Sequence, residues 1–133
     1  MEFKDNEPIY LQIATYVSEQ ILLGKWAVED KVPSVRELAV ALQVNPNTVM
    51  RTYEQLQNQE VIYNKRGIGF FVAPEALKKI KVLRRERFLQ QDLPEFFRNI
   101  FLLDISLGEI QERYEAFKSE NYESEIEQKH ENQ

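Results

Sequence analysis

Two closely spaced helix-start signals restrict the fold of this chain more than any other feature. Ser34 follows Pro33, and Glu37 stands three residues later, a pattern in which serine and glutamate satisfy the free amide groups of a helix start. Asn45 followed by Pro46 is a second signal, because asparagine caps a first turn and proline needs no amide partner there. The sequence therefore predicts a short helix over residues 35–42, a tight turn, and another helix that begins after Asn45.

A longer helix before this pair and a hairpin after it extend the pattern. Between Ile9 and Ile21 apolar residues recur at helical spacing, and Gly24 supplies a stop. Segments 61–63 and 70–72 are β-branched and aromatic and flank a loop with glycines, which is typical of a hairpin. This order of elements predicts a winged helix-turn-helix over residues 1–73.

Residues 74–118 are predicted to be helical. A basic helix covers 75–90, a capping pair of Asp92 and Glu95 starts the next helix, and Ser106 with Glu109 starts the last one. The predicted fold class is mainly α with a small β wing, followed by a short all-α dimerisation tail. Residues 119–133 are acidic and nearly free of aliphatic side chains, so we expect them to be disordered.

A wide aromatic face on the tail indicates that the chain pairs with a second copy. A segment of ~45 residues buries a low fraction of its own surface, so a homodimer is the economical way to cover such a face. The predicted dimerisation residues are Leu93, Phe96, Phe97, Ile100, Phe101, Ile110, Tyr114 and Phe117. The basic helix before them either contacts phosphates or balances the acidic residues at 109–127 across the dimer, and the neighbouring aromatic helix favours the second interpretation.

The composition excludes several classes of function. The chain has no cysteine, which removes disulfide and thiolate chemistry and fits a cytoplasmic protein. No apolar run approaches the roughly 20 residues of a membrane span, and the first residues carry no signal-peptide pattern, so we expect no membrane partner. No nucleophile–base pair, metal-spaced cluster or phosphate loop is visible, so we predict no enzyme activity, no catalytic or metal-binding residues and no cofactor. The single histidine, His130, lies in a polar, acidic segment.

The net charge of −5 weighs against a simple nucleic-acid binder. Residues 1–72 carry 7 Lys/Arg against 9 Asp/Glu, so the predicted winged helix is not basic as a whole. DNA affinity depends on positive charge placed against phosphates. A DNA-binding face on this chain must therefore use a few well-placed cations.

Four segments in this order resemble the GntR family of bacterial regulators: residues 8–13, 33–39, 44–49 and 66–72. The resemblance covers about residues 6 to 72. The Asn45-Pro46-Asn47-Thr48 sequence and the short tail are most similar to the YtrA-type subgroup, whose members have a brief helical dimerisation region in place of a large effector-binding domain. Many relatives carry glycine at two turns where this chain has residues 29–31 and Glu60.

The resemblance implies that the helix beginning after Asn45 lies in the major groove of DNA. There Asn47 suits adenine, Thr48 offers a hydroxyl and a methyl group, and Arg51 extends one helical turn further toward phosphate or guanine. Lys65 and Arg66 would reach the minor groove, and Arg36 resembles the family's DNA-contacting arginine. The predicted DNA-binding residues are Ser34, Arg36, Asn45, Pro46, Asn47, Thr48, Arg51, Lys65, Arg66, Gly67 and Gly69.

Each of these roles has a structural alternative. Ser34 and Asn45 serve equally as helix caps, and exposed arginines are most often solvated charges. Convergence of all of them on one face favours a sequence-specific transcriptional regulator that binds double-stranded DNA, as a homodimeric repressor on a pseudo-palindromic operator. The alternative is a winged-helix protein-interaction module that does not read DNA. An unknown small-molecule effector bound at the dimer interface stays open.

Overall fold

The computed structural model describes residues 1–131, and it describes side chains through Tyr122. Residues 132 and 133, which belong to the segment predicted to be disordered, lie outside the described residues. The chain divides into two compact units, Met1–Glu86 and Arg87–Gln133, here called the head unit and the tail unit. The predicted fold class is confirmed, because the described residues are mostly helical with a small antiparallel sheet.

Along the described residues, the head unit contains α1 (Ile9–Leu22), α2 (Val35–Leu42), α3 (Pro46–Asn58), β1 (Ile62–Lys65), β2 (Gly69–Val72) and α4 (Ala76–Arg87). The tail unit continues with a π-helical turn (Phe88–Asp92), α5 (Leu93–Leu102) and α6 (Leu107–Glu131). The three helices and the hairpin predicted for the winged helix-turn-helix are confirmed in type and order.

Both predicted helix starts have the expected hydrogen bonds. Ser34 Oγ accepts a bond from the Glu37 backbone N–H at 3.1 Å, and the Glu37 carboxylate accepts one from the Ser34 N–H at 3.0 Å. Asn45 Oδ1 accepts a bond from the Asn47 N–H at 2.8 Å, with Pro46 at the first position of α3. Between the two helices Gln43 has a left-handed backbone with φ 57°, which turns the chain from α2 into α3.

The segment before α2 pairs with the hairpin through an isolated bridge between Lys31 and Phe71. β1 and β2 are antiparallel neighbours. Along the other edge of β2, the Val32 N–H donates to the Phe70 carbonyl and the Val72 N–H donates to the Asp30 carbonyl, both at 2.9 Å. The sequence pattern does not predict this pairing, since residues 29–32 carry no alternation of apolar and polar side chains.

One hydrophobic core holds the head unit together. It draws on α1, α2, α3, the hairpin and α4. Its buried apolar residues are Ile13, Val17, Ile21, Val32, Leu38, Ala39, Val49, Tyr53, Leu56, Val61, Ile62, Val72, Ala73, Ala76 and Ile80. Because Ala76 and Ile80 of α4 belong to this core, the compact unit extends through Glu86, past the domain boundary predicted at residue 73.

In the tail unit, α5 begins at Leu93, directly after Asp92 as predicted, but the side-chain cap predicted for Asp92 does not form. Asp92 has helical backbone angles, and it closes the π-helical turn Phe88–Asp92. Pro94 stands two residues later, and a proline ring in a regular helix clashes with the carbonyl four residues earlier. A wider π turn at this point gives the ring room, so the backbone stays helical where the sequence suggests a cap.

α6 begins as expected, with Ser106 Oγ accepting a hydrogen bond from the Glu109 N–H at 3.1 Å. It continues past residue 118, where the predicted helical region ends, to Glu131, with non-helical backbone angles at Tyr122. Ion pairs one turn apart, Arg113 with Glu109 at 3.2 Å and Lys118 with Glu115 at 3.1 Å, stabilise the part of α6 before residue 119.

None of the helices among the described residues has the length and hydropathy that a bilayer crossing requires. Within the same part of the chain, no group of three or more His, Asp or Glu side chains is placed to hold a metal ion.

Candidate nucleic-acid interface

Tyr53 ties together the three elements that carry the predicted DNA-binding residues. Its side chain is fully buried, and its hydroxyl donates a hydrogen bond to the Pro33 carbonyl at 2.7 Å, directly before the start of α2. Its ring meets Phe70 of β2 edge to face, with 5.1 Å between centroids. Burial, and next the negative charge of Glu37, raise the pKa of Tyr53, so the hydroxyl stays a donor. The start of α2, helix α3 and the wing are therefore held by one side chain.

At the start of α2, Ser34 and Arg36 are both exposed. Ser34 is engaged in the capping box with Glu37, whose pKa is lowered by the Ser34 backbone hydrogen bond and then by the Ser34 hydroxyl. Arg36 is the second residue of the helix and lies where the backbone amides point outward. This helix start presents one cation beside oriented N–H groups, an arrangement that suits a phosphate.

At the start of α3, a short run of polar side chains faces solvent. Asn45, Pro46 and Asn47 are exposed, and Thr48 is half-buried. The Asn45 side chain acts as the helix cap. The Asn47 side chain forms none of the hydrogen bonds found among described side chains, so its donor and acceptor are available for a base edge.

Arg51 lies one turn further along α3 and is stacked on a tyrosine of α1. Its guanidinium carbon sits 3.8 Å from the centroid of the Tyr10 ring. Thr52, the next residue, is fully buried, and its hydroxyl donates to the Tyr10 carbonyl at 2.7 Å. The first turn of α1 is thus joined to the middle of α3 through both the ring and the backbone of Tyr10.

The wing tip carries Lys65, Arg66 and Gly67, all exposed, and Gly69 follows at the start of β2. Lys65 Nζ lies 4.4 Å from the centroid of the Phe71 ring, so its chain runs along the outer face of the hairpin. Gly67 has φ 79° and Gly69 has φ 139°, backbone angles that L side chains rarely adopt. A Cβ at Gly69 would stand 2.9 Å from Lys31 Cε, so the Lys31 side chain crosses the wing at this glycine.

The ion pairs of the head unit do not involve the cations predicted to bind DNA. Among described side chains, the cations of this unit that pair with carboxylates are Lys79, with Glu60 at 2.8 Å, and Arg84, with Glu19 at 3.5 Å. Both belong to α4, the helix predicted to be basic. Two of its cations therefore balance acidic groups of the head unit itself, a role that neither sequence interpretation of this helix included.

Two acidic residues stand at turns where the family resemblance implies glycine, and both have the left-handed backbone. Glu29 has φ 71° and Glu60 has φ 63°. The Glu60 turn is closed by the Val61 N–H, which donates to the Leu56 carbonyl at 2.9 Å. The turns are therefore formed without glycine.

The structure brings the predicted DNA-binding residues onto three connected elements. Those on α2, α3 and the wing are exposed or half-buried and are joined through Tyr53. Sequence reasoning did not include Lys31 or Tyr10 in this surface. Lys31 carries no local signal, because its position depends on the pairing of segment 29–32 with β2. Tyr10 stands next to the apolar positions of α1, and its contact with Arg51 spans 41 residues of sequence.

The predicted dimerisation residues form a second surface, on the tail unit. Along the described part of this unit no residue is buried. Leu93, Ile100 and Ile110 are half-buried, whereas Phe96, Phe97, Phe101, Tyr114 and Phe117 are exposed. Phe101 is 80% exposed, an unusual value for phenylalanine in a folded protein. The tail unit thus presents a large apolar surface in the isolated chain.

Comparison with known proteins gives one consistent family. The family model for bacterial regulatory proteins of the gntR family matches residues 9–72. The uncharacterised HTH-type transcriptional regulator YhcF of Bacillus subtilis is 32% identical over 116 residues, which covers 87% of this chain and 94% of YhcF. The HTH-type transcriptional repressor YtrA of the same organism is 31% identical over 109 residues, 82% of this chain and 83% of YtrA. The resemblance to GntR regulators of YtrA type is therefore confirmed.

Solved structures agree with this result. A crystal structure from Bacteroides thetaiotaomicron, assigned to GntR-family transcriptional regulators, is 54% identical and has a TM-score of 0.69, covering 84% of this chain and 97% of that chain. The DNA-binding domain of AraR in complex with its operator ORR3 is 29% identical, with a TM-score of 0.50, covering 55% of this chain and 88% of that chain.

Proposed function

This chain belongs to the GntR family of bacterial transcriptional regulators, and we propose that it acts as a homodimeric repressor on a pseudo-palindromic operator. The observation that carries the proposal is the exposed polar first turn of α3, which Tyr53 holds beside the wing and the start of α2. AraR, a structural relative, is known in complex with operator DNA. YtrA, a relative over most of the chain, is a repressor.

In the proposed complex, α3 enters the major groove with its first turn against the base edges. Asn47 reads adenine through its amide, and Thr48 contacts a thymine methyl group or a phosphate. Arg51 then donates to guanine or phosphate from the same exposed side of the helix. Asn45 and Pro46 bring this turn close to DNA without reading bases, because the Asn45 side chain is already used as a cap.

The remaining contacts position the head unit on the DNA backbone. Arg36 and the amides of the α2 start bind one phosphate, with Ser34 as the cap that orients them. Lys65 and Arg66 enter the adjacent minor groove, where narrow A·T tracts concentrate negative potential. Gly67 and Gly69 let the wing backbone approach the sugar–phosphate chain. Affinity then rests on a few cations, which fits a chain of net charge −5.

A second copy of this chain covers the apolar surface of the tail unit. The support is that no described residue of this unit is buried, while its aromatic side chains lie along α5 and α6. A unit this small buries little apolar surface by itself. Twofold pairing gives two head units and hence an operator with two related half-sites.

The proposal also assigns a location and a mode of control. A repressor of this kind is not an enzyme and needs no cofactor, and it works in the bacterial cytoplasm, where its operator is. Beyond the head unit, the described part of the chain consists of the helical tail unit. A small-molecule effector, if one acts here, would bind at the dimer interface.

DNA binding is tested by selecting duplexes from a randomised pool with the full chain and measuring the affinity of the winning sequence at several salt concentrations. We expect a palindromic consensus and an affinity that falls steeply with salt. Arg36→Ala and Arg51→Ala should each weaken binding, whereas Lys25→Ala, at an exposed cation outside the proposed contacts, should not. Recovery of no consensus would reject the proposal in favour of a winged-helix module that binds another protein.

The dimer is tested by Phe101→Ser, with Arg98→Ser on the same helix as the matched control. Analytical ultracentrifugation should give a dimer for the wild type and the control, and a monomer or a weakened dimer for Phe101→Ser. The same variant should bind a full operator much more weakly than the wild type but bind a single half-site equally well. A wild-type monomer at micromolar concentration would contradict the proposed dimer.

Repression is tested by transcription in vitro from a promoter that contains the selected operator. We expect transcript to fall as the protein is added, and to be restored when Arg51→Ala replaces the wild type. An increase in transcript would show an activator.

A further inference from the structure

We propose that Tyr10 is a positioning residue for DNA recognition, which holds the Arg51 guanidinium in its DNA-reading orientation before DNA arrives. The inference rests on the proposed contact of Arg51 with DNA and adds a residue of α1 that lies outside the recognition helix. It starts from the stack of the guanidinium on the Tyr10 ring, 3.8 Å from the guanidinium carbon to the ring centroid.

At 3.8 Å from the guanidinium carbon to the ring centroid, the guanidinium is close enough to stack face to face on Tyr10, an arrangement that leaves its edges free. All five N–H donors of arginine lie in the plane of the group. Those donors form the paired bonds to guanine or to phosphate oxygens. An aromatic ring against one face therefore restricts the orientation of the group without competing for the donors that DNA requires.

Tyr10 itself is held in place by the recognition helix. The buried Thr52 hydroxyl donates to the Tyr10 carbonyl at 2.7 Å. Thr52 also lies 3.2 Å from the Thr48 carbonyl, so the same hydroxyl borders the first turn of α3. Because the Tyr10 backbone is hydrogen-bonded to α3, the Tyr10 ring is held next to Arg51.

No carboxylate competes for Arg51 among the described side chains, since their ion pairs involve other cations. The half-buried Tyr10 ring is thus the partner that orders an otherwise solvated, flexible side chain. An arginine that is free in solution loses rotamer freedom when DNA orders it. An arginine that is already stacked loses less.

The test is a double-mutant cycle of Tyr10→Leu and Arg51→Ala, measured as affinity for the duplex selected by the wild-type chain. Tyr10→Leu should weaken binding about threefold to tenfold for each head unit, because ordering one long side chain on binding costs roughly 0.5–1.5 kcal/mol. The loss should disappear when Arg51 is already alanine. Tyr10→Phe should bind as the wild type does, since the ring is kept. Tyr16→Leu, at another half-buried tyrosine of α1, is the control for the loss of a ring that contacts Trp26 instead.

The outcomes separate this inference from the proposed function. If Arg51→Ala leaves affinity unchanged, the proposed DNA contact fails and the inference fails with it. If Arg51→Ala weakens binding but Tyr10→Leu does not, or does so equally in both backgrounds, the positioning role alone is overturned. Tighter binding by Tyr10→Leu would also overturn it, because the stack would then hold Arg51 away from DNA. Thermal denaturation of each variant shows that the head unit is folded at the assay temperature.

Discussion

Replacing Tyr53 by phenylalanine removes one hydroxyl from the centre of the head unit and leaves the ring in place. The ring is fully buried against Phe70, so its packing persists and no large cavity forms. What is lost is the hydrogen bond to the Pro33 carbonyl at 2.7 Å. We expect Tyr53→Phe to destabilise the head unit without unfolding it.

The magnitude follows from the surroundings of the bond. A neutral hydrogen bond contributes about 0.5–1.5 kcal/mol net, and a carbonyl left unpaired in a fully buried site adds a further penalty. Pro33 is half-buried, so water reaches part of its surroundings and the penalty is small. We therefore expect a loss of about 1–1.5 kcal/mol in the free energy of unfolding. For a unit of this size, that loss lowers Tm by roughly 5–10 °C.

Differential scanning calorimetry at neutral pH measures the shift, and Tyr63→Phe is the matched control. The Tyr63 hydroxyl also donates a hydrogen bond, to the Glu29 carboxylate, but on the exposed face of the wing. Its removal should change Tm far less. Equal shifts in Tm for the two variants, or no shift for Tyr53→Phe, would refute the argument that burial makes the Tyr53 hydrogen bond contribute more to stability.

Wild type and Tyr53→Phe should also respond differently to alkaline pH. Burial raises the pKa of Tyr53 above its ordinary value of 10.0. The stability that the protonated hydroxyl contributes is therefore fully present below pH 10 and is lost as the pH rises above it. Because phenylalanine does not titrate, the Tm difference between wild type and Tyr53→Phe should narrow above pH 10. A difference that stays constant to pH 11 would contradict a buried, neutral Tyr53.

Four further changes test other parts of the head unit. Gln43→Gly should raise the free energy of unfolding by about 0.5 kcal/mol. Glycine relieves the left-handed backbone at φ 57°, and this gain exceeds the loss from the added freedom of the unfolded chain. A lower Tm than wild type in thermal denaturation would argue against strain at this turn. Ser34→Ala should lower stability by about 1 kcal/mol through loss of the cap. The Ser34 backbone hydrogen bond lowers the pKa of Glu37. The stability that the Glu37 carboxylate contributes is therefore present above its ordinary pKa of 4.5 and is lost as the pH falls. The Tm values of wild type and Glu37→Gln should converge in acid. Lys65→Gln combined with Arg66→Gln should reduce the slope of log affinity against log salt by about 2 for each head unit bound, and an unchanged slope would exclude phosphate contacts by the wing.

The parts of the fold that follow from local chemistry were predictable. The capping box at Ser34 and the cap at Asn45 depend on side chains within three residues, and both helices begin where those residues predict. The hairpin follows from two β-branched and aromatic segments and the glycines between them, within about twelve residues. Such signals are local, so one sequence suffices to find them.

The features that the sequence did not predict depend on contacts between residues distant in the chain or on a local change of backbone geometry. Asp92 and Pro94 have the pattern of a helix start, but a π-helical turn accommodates the proline within helical backbone. The composition of residues 119–133 predicts disorder, whereas α6 runs past residue 118 to Glu131. In the candidate interface, the polar residues of α3 were predicted. Tyr10 was not, because its stack on Arg51 joins two separate helices.

The strand pairing of segment 29–32 has a consequence for how an operator can vary. Val32 is bonded to Phe70 of the wing and stands two residues before the α2 cap, so the wing cannot shift along DNA while the helix pair stays in place. Under the proposed function, a fixed number of base pairs separates those read by α3 from the A·T tract read by the wing. An operator should therefore tolerate a change in the spacer between its half-sites more readily than a single inserted base pair within one half-site.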